Sequence, residues 1–247
     1  MGKIIAVVSG KGGTGKTSFT ANVGLALAAL GCHTLCLDCD ITLRNLDLAL
    51  GLSDRALMDF TDVIAGRCTL EDAVVQHPKY PKLHLLTAPL SARPVPIAPE
   101  QMKALLDRIR QTYDYCLIDA PAGLGMGFHL SSDYADRAVV VTNTDASSLR
   151  DAQHTVMELD RFPSGALHLV VNRVRKKLLR QLHATIDDAI DKAGLPLLGV
   201  VPEDDALPLC MNRGVPILLA DGQSAATAYR NIAKRLQGER VPLLRIR

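Results

Sequence analysis

The chain has 247 residues, 48% of them apolar and 22% charged, with a formal net charge of +2. This length suits one large α/β domain, and the apolar share can fill a sizeable core. The near balance of charge excludes whole-chain attraction to nucleic acid or membrane, and no run approaches the roughly 18 apolar residues of a membrane span.

The first predicted element is the apolar run Lys3 to Ser9 (KIIAVVS), which has the length and Ile/Val content of a buried strand. It is too short for the apolar core of a secretory leader, so a cytoplasmic protein is expected. Gly10-Lys11-Gly12-Gly13-Thr14-Gly15-Lys16-Thr17 follows and matches the phosphate-loop pattern G-x-x-x-x-G-K-[ST] in full. Phe19, Val23, Leu27 and Leu30 then recur at helical spacing, with Gly31 as a stop, so the loop joins a strand to a helix over Lys16–Leu30. In that setting glycines let backbone N–H groups curl around phosphate, and the helix N-terminus faces the same anion. Lys16 would reach the β/γ-phosphates, and the Thr17 hydroxyl would ligate Mg²⁺. Lys11 is an additional lysine that an ordinary loop of this kind does not need.

The second strand, Thr34–Cys39, ends in Asp38-Cys39-Asp40. Cys36 and Cys39 form a C-x-x-C, but residues three apart in a strand face opposite sides, so buried apolar cysteines are expected instead of a metal pair. The six cysteines form no disulfide framework, and the seven histidines no cluster. A helix near Leu70–Val75 and a strand at Leu83–Thr87 follow. The four prolines of Pro89 to Pro99 predict a loop, and Met102, Leu105, Leu106 and Ile109 mark the core face of a helix over Pro99–Arg110. The strand Tyr115–Asp119 delivers another aspartate at its end, before Ala120-Pro121-Ala122-Gly123. A phosphate loop needs such acidic partners for metal and water, and Asp38, Asp40 and Asp119 offer them. Turn capping by the same aspartates is the structural alternative.

Further strands are predicted at Ala138–Thr142, Leu167–Asn172 and Leu197–Val201, with helices near Ser148–Leu159, Leu178–Ala193 and Ala225–Leu236. Two sites could recognise a base: the Asn172 amide and the loop Pro202-Glu203-Asp204; each could equally be a plain turn. Arg173, Arg175, Lys176, Lys177 and Arg180 form the densest basic run and read as a solvated helix start. The strands are apolar throughout and alternate with helices. The fold expected is α/β, a doubly wound, mostly parallel sheet with helices on both faces, in one domain over 1–247. Every motif lies at the C-terminal end of a strand, where such sheets bind ligands.

The residues GKGGTGKT with Lys11, Leu37 to Leu52 (LDCDITLRNLDLALGL), LIDAPAG, VVNR and VVPED together resemble the deviant Walker A ATPases, and within them the MinD family. The resemblance runs in order over about residues 1–239; Ile41 to Leu48 is what separates it from the ParA branch. It implies ATP and Mg²⁺ as ligands and an ATP-dependent homodimer. Gly10 to Ser18 would bind phosphate, and Lys11 would reach the partner's phosphates. Lys16 would act within its own subunit, Thr17, Asp38 and Asp119 would serve the metal, and Asp40 would orient water. Asn172 and Arg173, with Pro202, Glu203 and Asp204, would hold the nucleotide. It also implies MinC-like and MinE-like partners and reversible placement on the inner face of the cell membrane. Residues 238–247 do not match the family's amphipathic membrane helix: ten residues with Pro242 at their centre predict weak membrane contact. DNA is not an expected partner, although a flagellar-number or partition role for the same engine remains an alternative. A nicotinamide site is disfavoured because Lys16-Thr17 replaces the third-glycine pattern, and a cluster carrier because no cysteine follows Cys116 in the switch region.

Overall fold

The computed structural model describes residues 1–90, 96–181, 184–219 and 224–244. The chain runs β1 (Lys3–Val8), α1 (Lys16–Ala29), β2 (Thr34–Asp38), α2 (Leu46–Leu50), α3 (Phe60–Ile64), α4 (Leu70–Ala73), β3 (Val75–His77), β4 (Tyr80–Leu86) and α5 (Pro99–Thr112). It continues through β5 (Tyr115–Asp119), α6 (Met126–Ser132), β6 (Arg137–Thr142), α7 (Ala146–Glu158), β7 (Leu167–Val174), α8 (Lys176–Gln181) and α9 (Ile186–Ala193). The last elements are β8 (Leu197–Pro202), α10 (Ala206–Asn212), a 3₁₀ turn at Ile217–Leu219, and α11 (Ser224–Leu236).

One sheet has the order β3-β4-β2-β5-β1-β6-β7-β8, parallel except for the β3–β4 hairpin. Strands β2 and β5 are buried at every position, as both-face coverage requires. Ile5 and Val7 pack with α1, α2 and α11 on one face, while Ile4, Ala6 and Val8 pack toward α5, α6 and α7 on the other. The expected doubly wound sheet is what forms. The chain leaves β1 for β2, then inserts β5 between them, so the phosphate loop sits beside the ends of β2 and β5.

Local signals explain several boundaries. Helix α5 starts with Pro99 at its first turn and buries Met102, Leu105, Leu106 and Ile109, the predicted face. The predicted single helix Leu178–Ala193 is two: Thr185 and Asp188 form a capping box that opens α9 afresh. The helix expected to Val75 stops at Ala73, and Val75 opens β3. Elements α2, α3, α6, α10 and β3 were not expected; each is seven residues or fewer, too short for apolar periodicity to declare itself. In the predicted proline loop, Ser91 to Val95 lie outside the described residues, as do His183 and the terminal Arg245 to Arg247. Gly238 to Leu244 form no helix; the Arg235 guanidinium holds this stretch by donating to the Val241 carbonyl, and Leu244 packs on the core. No described helix is long and apolar enough to cross a membrane.

Candidate functional site

Gly15 is the residue on which the phosphate loop turns into α1. It has φ 97°, and a Cβ there would lie 2.2 Å from Asn172 Nδ2, so both backbone hand and close approach require glycine. No side chain caps α1, which leaves its first N–H groups for an anion. Lys16 is buried and donates from Nζ to Ser9 Oγ at 3.0 Å. Burial holds its pKa below the ordinary lysine value, against the opposing pull of Asp119 and Asp40.

The three aspartates have three different settings. Asp119 is buried at the end of β5 and accepts from the Thr17 hydroxyl at 2.7 Å, so two of the three residues expected at the metal meet directly. Asp38 is its register partner on β2 and has no exposed surface. Its two oxygens accept from the backbone N–H groups of Asp40 (2.9 Å) and Leu46 (3.2 Å). Asp38 therefore shapes the loop that carries Asp40. Burial pushes both carboxyls above the ordinary range, and the charges of Asp119 and Asp40 add to the effect at Asp38. Asp40 is only partly buried; one oxygen accepts from Thr42 N and Leu43 N, and the group lines the cleft.

That cleft has a volume of about 540 Å³ and runs from Gly12 and Gly13 past Lys16 and Thr17 to Arg173 and Asn212. Asn172 is buried behind it. Its Nδ2 donates to the Thr14 carbonyl at 2.7 Å, while its Oδ1 has no partner. An orphaned buried acceptor is rare in a finished core and suits a ligand N–H. Arg173 adopts φ 54°, unusual for a side chain of that size, as it turns toward the cleft.

Pro202 closes β8, and Glu203 and Asp204 follow it with partners in the chain. Asp204 accepts from Ala206 N, and its other oxygen from Ala225 N and Ser224 Oγ, so it ties α10 to α11; Glu203 pairs with Arg175 at 3.3 Å. Residues at the cleft wall include Met211 and Asn212 of α10, with the Met211 sulfur accepting from the Ser18 hydroxyl at 2.9 Å. Sequence reasoning missed them because α10 is one short helix without a motif. Lys11 rests on its own chain: Nζ donates to Ser147 Oγ at 2.8 Å and lies 3.8 Å from Asp145. Cys36 and Cys39 sit in cores on opposite faces of the sheet and cannot share a metal. Helix α8, in the basic run, buries no residue, as a solvated segment should.

The site has relatives. Residues 5–217 match the CobQ/CobB/MinD/ParA nucleotide binding domain. The septum site-determining protein MinD of Bacillus subtilis is 40% identical over 98% of this chain and 92% of its own length. Among solved structures, the Aquifex aeolicus MinC:MinD cell division protein complex superimposes with TM-score 0.91 at 37% identity, covering 98% of both chains. Pyrococcus horikoshii MinD complexed with Mg-ADP gives 0.84 at 31%, covering 96% of each. Whole-length identity of this order, on the same sheet and the same phosphate loop, means that the chain belongs to the MinD family of septum site-determining proteins, among the CobQ/CobB/MinD/ParA nucleotide-binding domains.

Proposed function

We propose that this chain is an ATP-driven dimerising switch of the MinD type that helps place the division septum. The observation that carries this reading is the gathering at one cleft of a buried loop lysine, a Thr17–Asp119 pair, an Asp40 with one oxygen in loop hydrogen bonds, and an unpaired Asn172 acceptor behind it. The loop N–H groups from Gly10 to Thr17, with Ser18, would bind phosphates, and Lys16 would stabilise the charge that develops on them. Thr17 and Asp119 would hold Mg²⁺, which would supply neutralisation of phosphate charge. Asp40 would accept from and orient the attacking water. Asn172 would take a base N–H on its free Oδ1, with Arg173 at the cleft wall.

In the dimer, Lys11 would leave Ser147 and Asp145 and contact the partner's phosphates. Because it holds only one hydrogen bond and a half-exposed ion pair here, that release costs little. Likeness to the Aquifex MinD crystallised with MinC supports a MinC-like partner; a MinE-like activator and an inner-membrane location follow from the family resemblance alone.

The test is sedimentation velocity of the Asp40→Ala variant in ADP and in ATP, with and without anionic vesicles. A dimer only in ATP supports the switch, and ATP-dependent vesicle binding supports membrane recruitment. A monomer in ATP with nucleotide bound would sink the dimerisation mechanism.

A further inference from the structure

Two described residues other than glycine have a left-handed backbone: Arg173 at φ 54° and Arg44 at φ 42°. Arg173 lies in the cleft wall. Arg44 lies in the loop between Asp40 and α2. A long side chain at positive φ is strained, and glycine would take the same turn without strain. The Arg44 side chain adds a second cost. Its Nε pairs with Asp47 at 3.1 Å, with only 11% and 6% of the two side chains exposed, so both charges are largely withdrawn from water. Strain and a buried ion pair at one residue are more than stability alone asks for, and such strain concentrates at functional sites.

The bonds of this loop show what the two features hold. Arg44 N donates to the Asp40 carbonyl at 2.9 Å, which closes a turn over residues 40–44. Inside the turn, Thr42 N and Leu43 N each donate to one carboxylate oxygen of Asp40 at 3.1 Å. Fixing that oxygen sets the direction of the other, on a residue that lines the cleft. The far end of the ion pair is anchored. Asp47 is buried on α2, and its second oxygen accepts from Leu48 N at 2.7 Å. Helix α2 is itself pinned at Gly51, φ 69°, where a Cβ would lie 2.1 Å from the Gly214 carbonyl oxygen beyond α10. Arg44 is therefore held from a fixed point on one side and holds the Asp40 turn on the other.

We infer that Arg44 is a positioning residue for ATP hydrolysis: its left-handed backbone, locked by the ion pair to Asp47, closes the turn that aims the second oxygen of Asp40 at the attacking water. Glycine would accept the turn but would also accept others; arginine with its ion pair removes that freedom. The inference rests on the reading of Asp40 given above and names the residues that hold it in place.

The test compares the native chain with Asp40→Ala, with Asp47→Asn, and with the double variant Arg44→Gly, Asp47→Asn. Asparagine keeps an acceptor for Leu48 N and removes the charge that holds Arg44. The double variant leaves no unpaired buried charge and gives the turn a residue that tolerates positive φ, which guards against simple unfolding. Measured on each are kcat and KM for Mg-ATP, ADP affinity, and the ATP-dependent dimer by sedimentation velocity. Both proteins that carry Asp47→Asn should show kcat lower by about tenfold or more, the effect of a misplaced reacting group, with KM, ADP affinity and the dimer unchanged. Native kcat in either protein, or a lower kcat that comes with lost ADP affinity or a lost dimer, overturns this inference alone. Native kcat in Asp40→Ala overturns the assignment of Asp40, and this inference with it.

Discussion

The two ends of the sheet treat charge in opposite ways. At the N-terminal ends of the strands, Asp136 is clasped by the Arg110 guanidinium and also accepts from Ile4 N at 2.7 Å. Arg110 reaches the Tyr134 carbonyl as well, and Arg235 spans the Leu198 and Val241 carbonyls. At the C-terminal ends, Asp38 and Asp119 are buried side by side, and the Asn172 and Thr14 side chains keep oxygens without partners. The first end is tied together by ion pairs and bonds to carbonyls, although the buried His84 and His168 Nδ1 atoms there lack partners as well. The second end buries two carboxyls side by side, which a cation would complete. The buried acidic pair, more than the unpartnered atoms, distinguishes the two ends.

The comparison can be broken by four substitutions, beginning with the largest effect. Lys16→Ala should cut ATP hydrolysis by roughly 10²–10³-fold, the range for losing one preorganised group that stabilises developing charge; phosphate release measures it, and unchanged turnover would remove Lys16 from the site. Lys11→Ala should abolish ATP-dependent dimerisation while the monomer still binds nucleotide, measured by sedimentation with a fluorescent analogue. Normal dimers would reject the trans role for Lys11.

At the N-terminal end, Asp136→Ala should lower unfolding stability by about 1–3 kcal/mol, because Arg110 and Ile4 N lose their acceptor. Nucleotide affinity should not change; if it did, the two ends would not be independent. The smallest effect is expected from Asp38→Asn. A carboxyl whose pKa is raised on folding contributes stability that is fully present below its unfolded pKa of about 4 and is lost as pH rises through the folded value. Nucleotide-free protein should therefore lose thermal stability as pH rises above the ordinary carboxylate range, since burial raises both Asp38 and Asp119. Asp38→Asn should flatten that slope, and Mg²⁺ with ADP should oppose it by favouring the ionised forms. A slope unaffected by the substitution would show that Asp38 is ionised in the empty site.

What was legible in advance followed from how far each signal reaches along the chain. The phosphate loop is contiguous, so its strand, turn and helix could be placed from residues 3–31, and Gly15 and Lys16 were found where expected. Strand-end aspartates were visible because an acidic residue closing an apolar run is conspicuous. Their division of labour was not. That Asp38 points its oxygens at Asp40 N and Leu46 N, while Asp119 takes Thr17, depends on the pairing of β2 with β5, which are separated by some eighty residues of chain.

Two regions show the same limit. Pro202 to Asp204 could be read from the sequence as a base-binding loop or as a plain turn, and that Asp204 ties α10 to the start of α11 became visible only with both helices in place. Met211 and Asn212 had no signal at all, and α10 brings them to the cleft by packing on α2.

Fold class and the phosphate loop were thus readable from the amino acids alone, because each rests on local spacing: continuous apolar runs, a helix start, a motif of eight residues. Family membership was readable through the resemblance of several such segments in order. Which aspartate bonds Thr17 and which shapes its own loop, where Lys11 rests and which helix walls the cleft were decided by long-range strand pairing and helix packing. Those arrangements join residues distant in the chain, and side-chain orientation at a junction is settled only when both neighbours are in place.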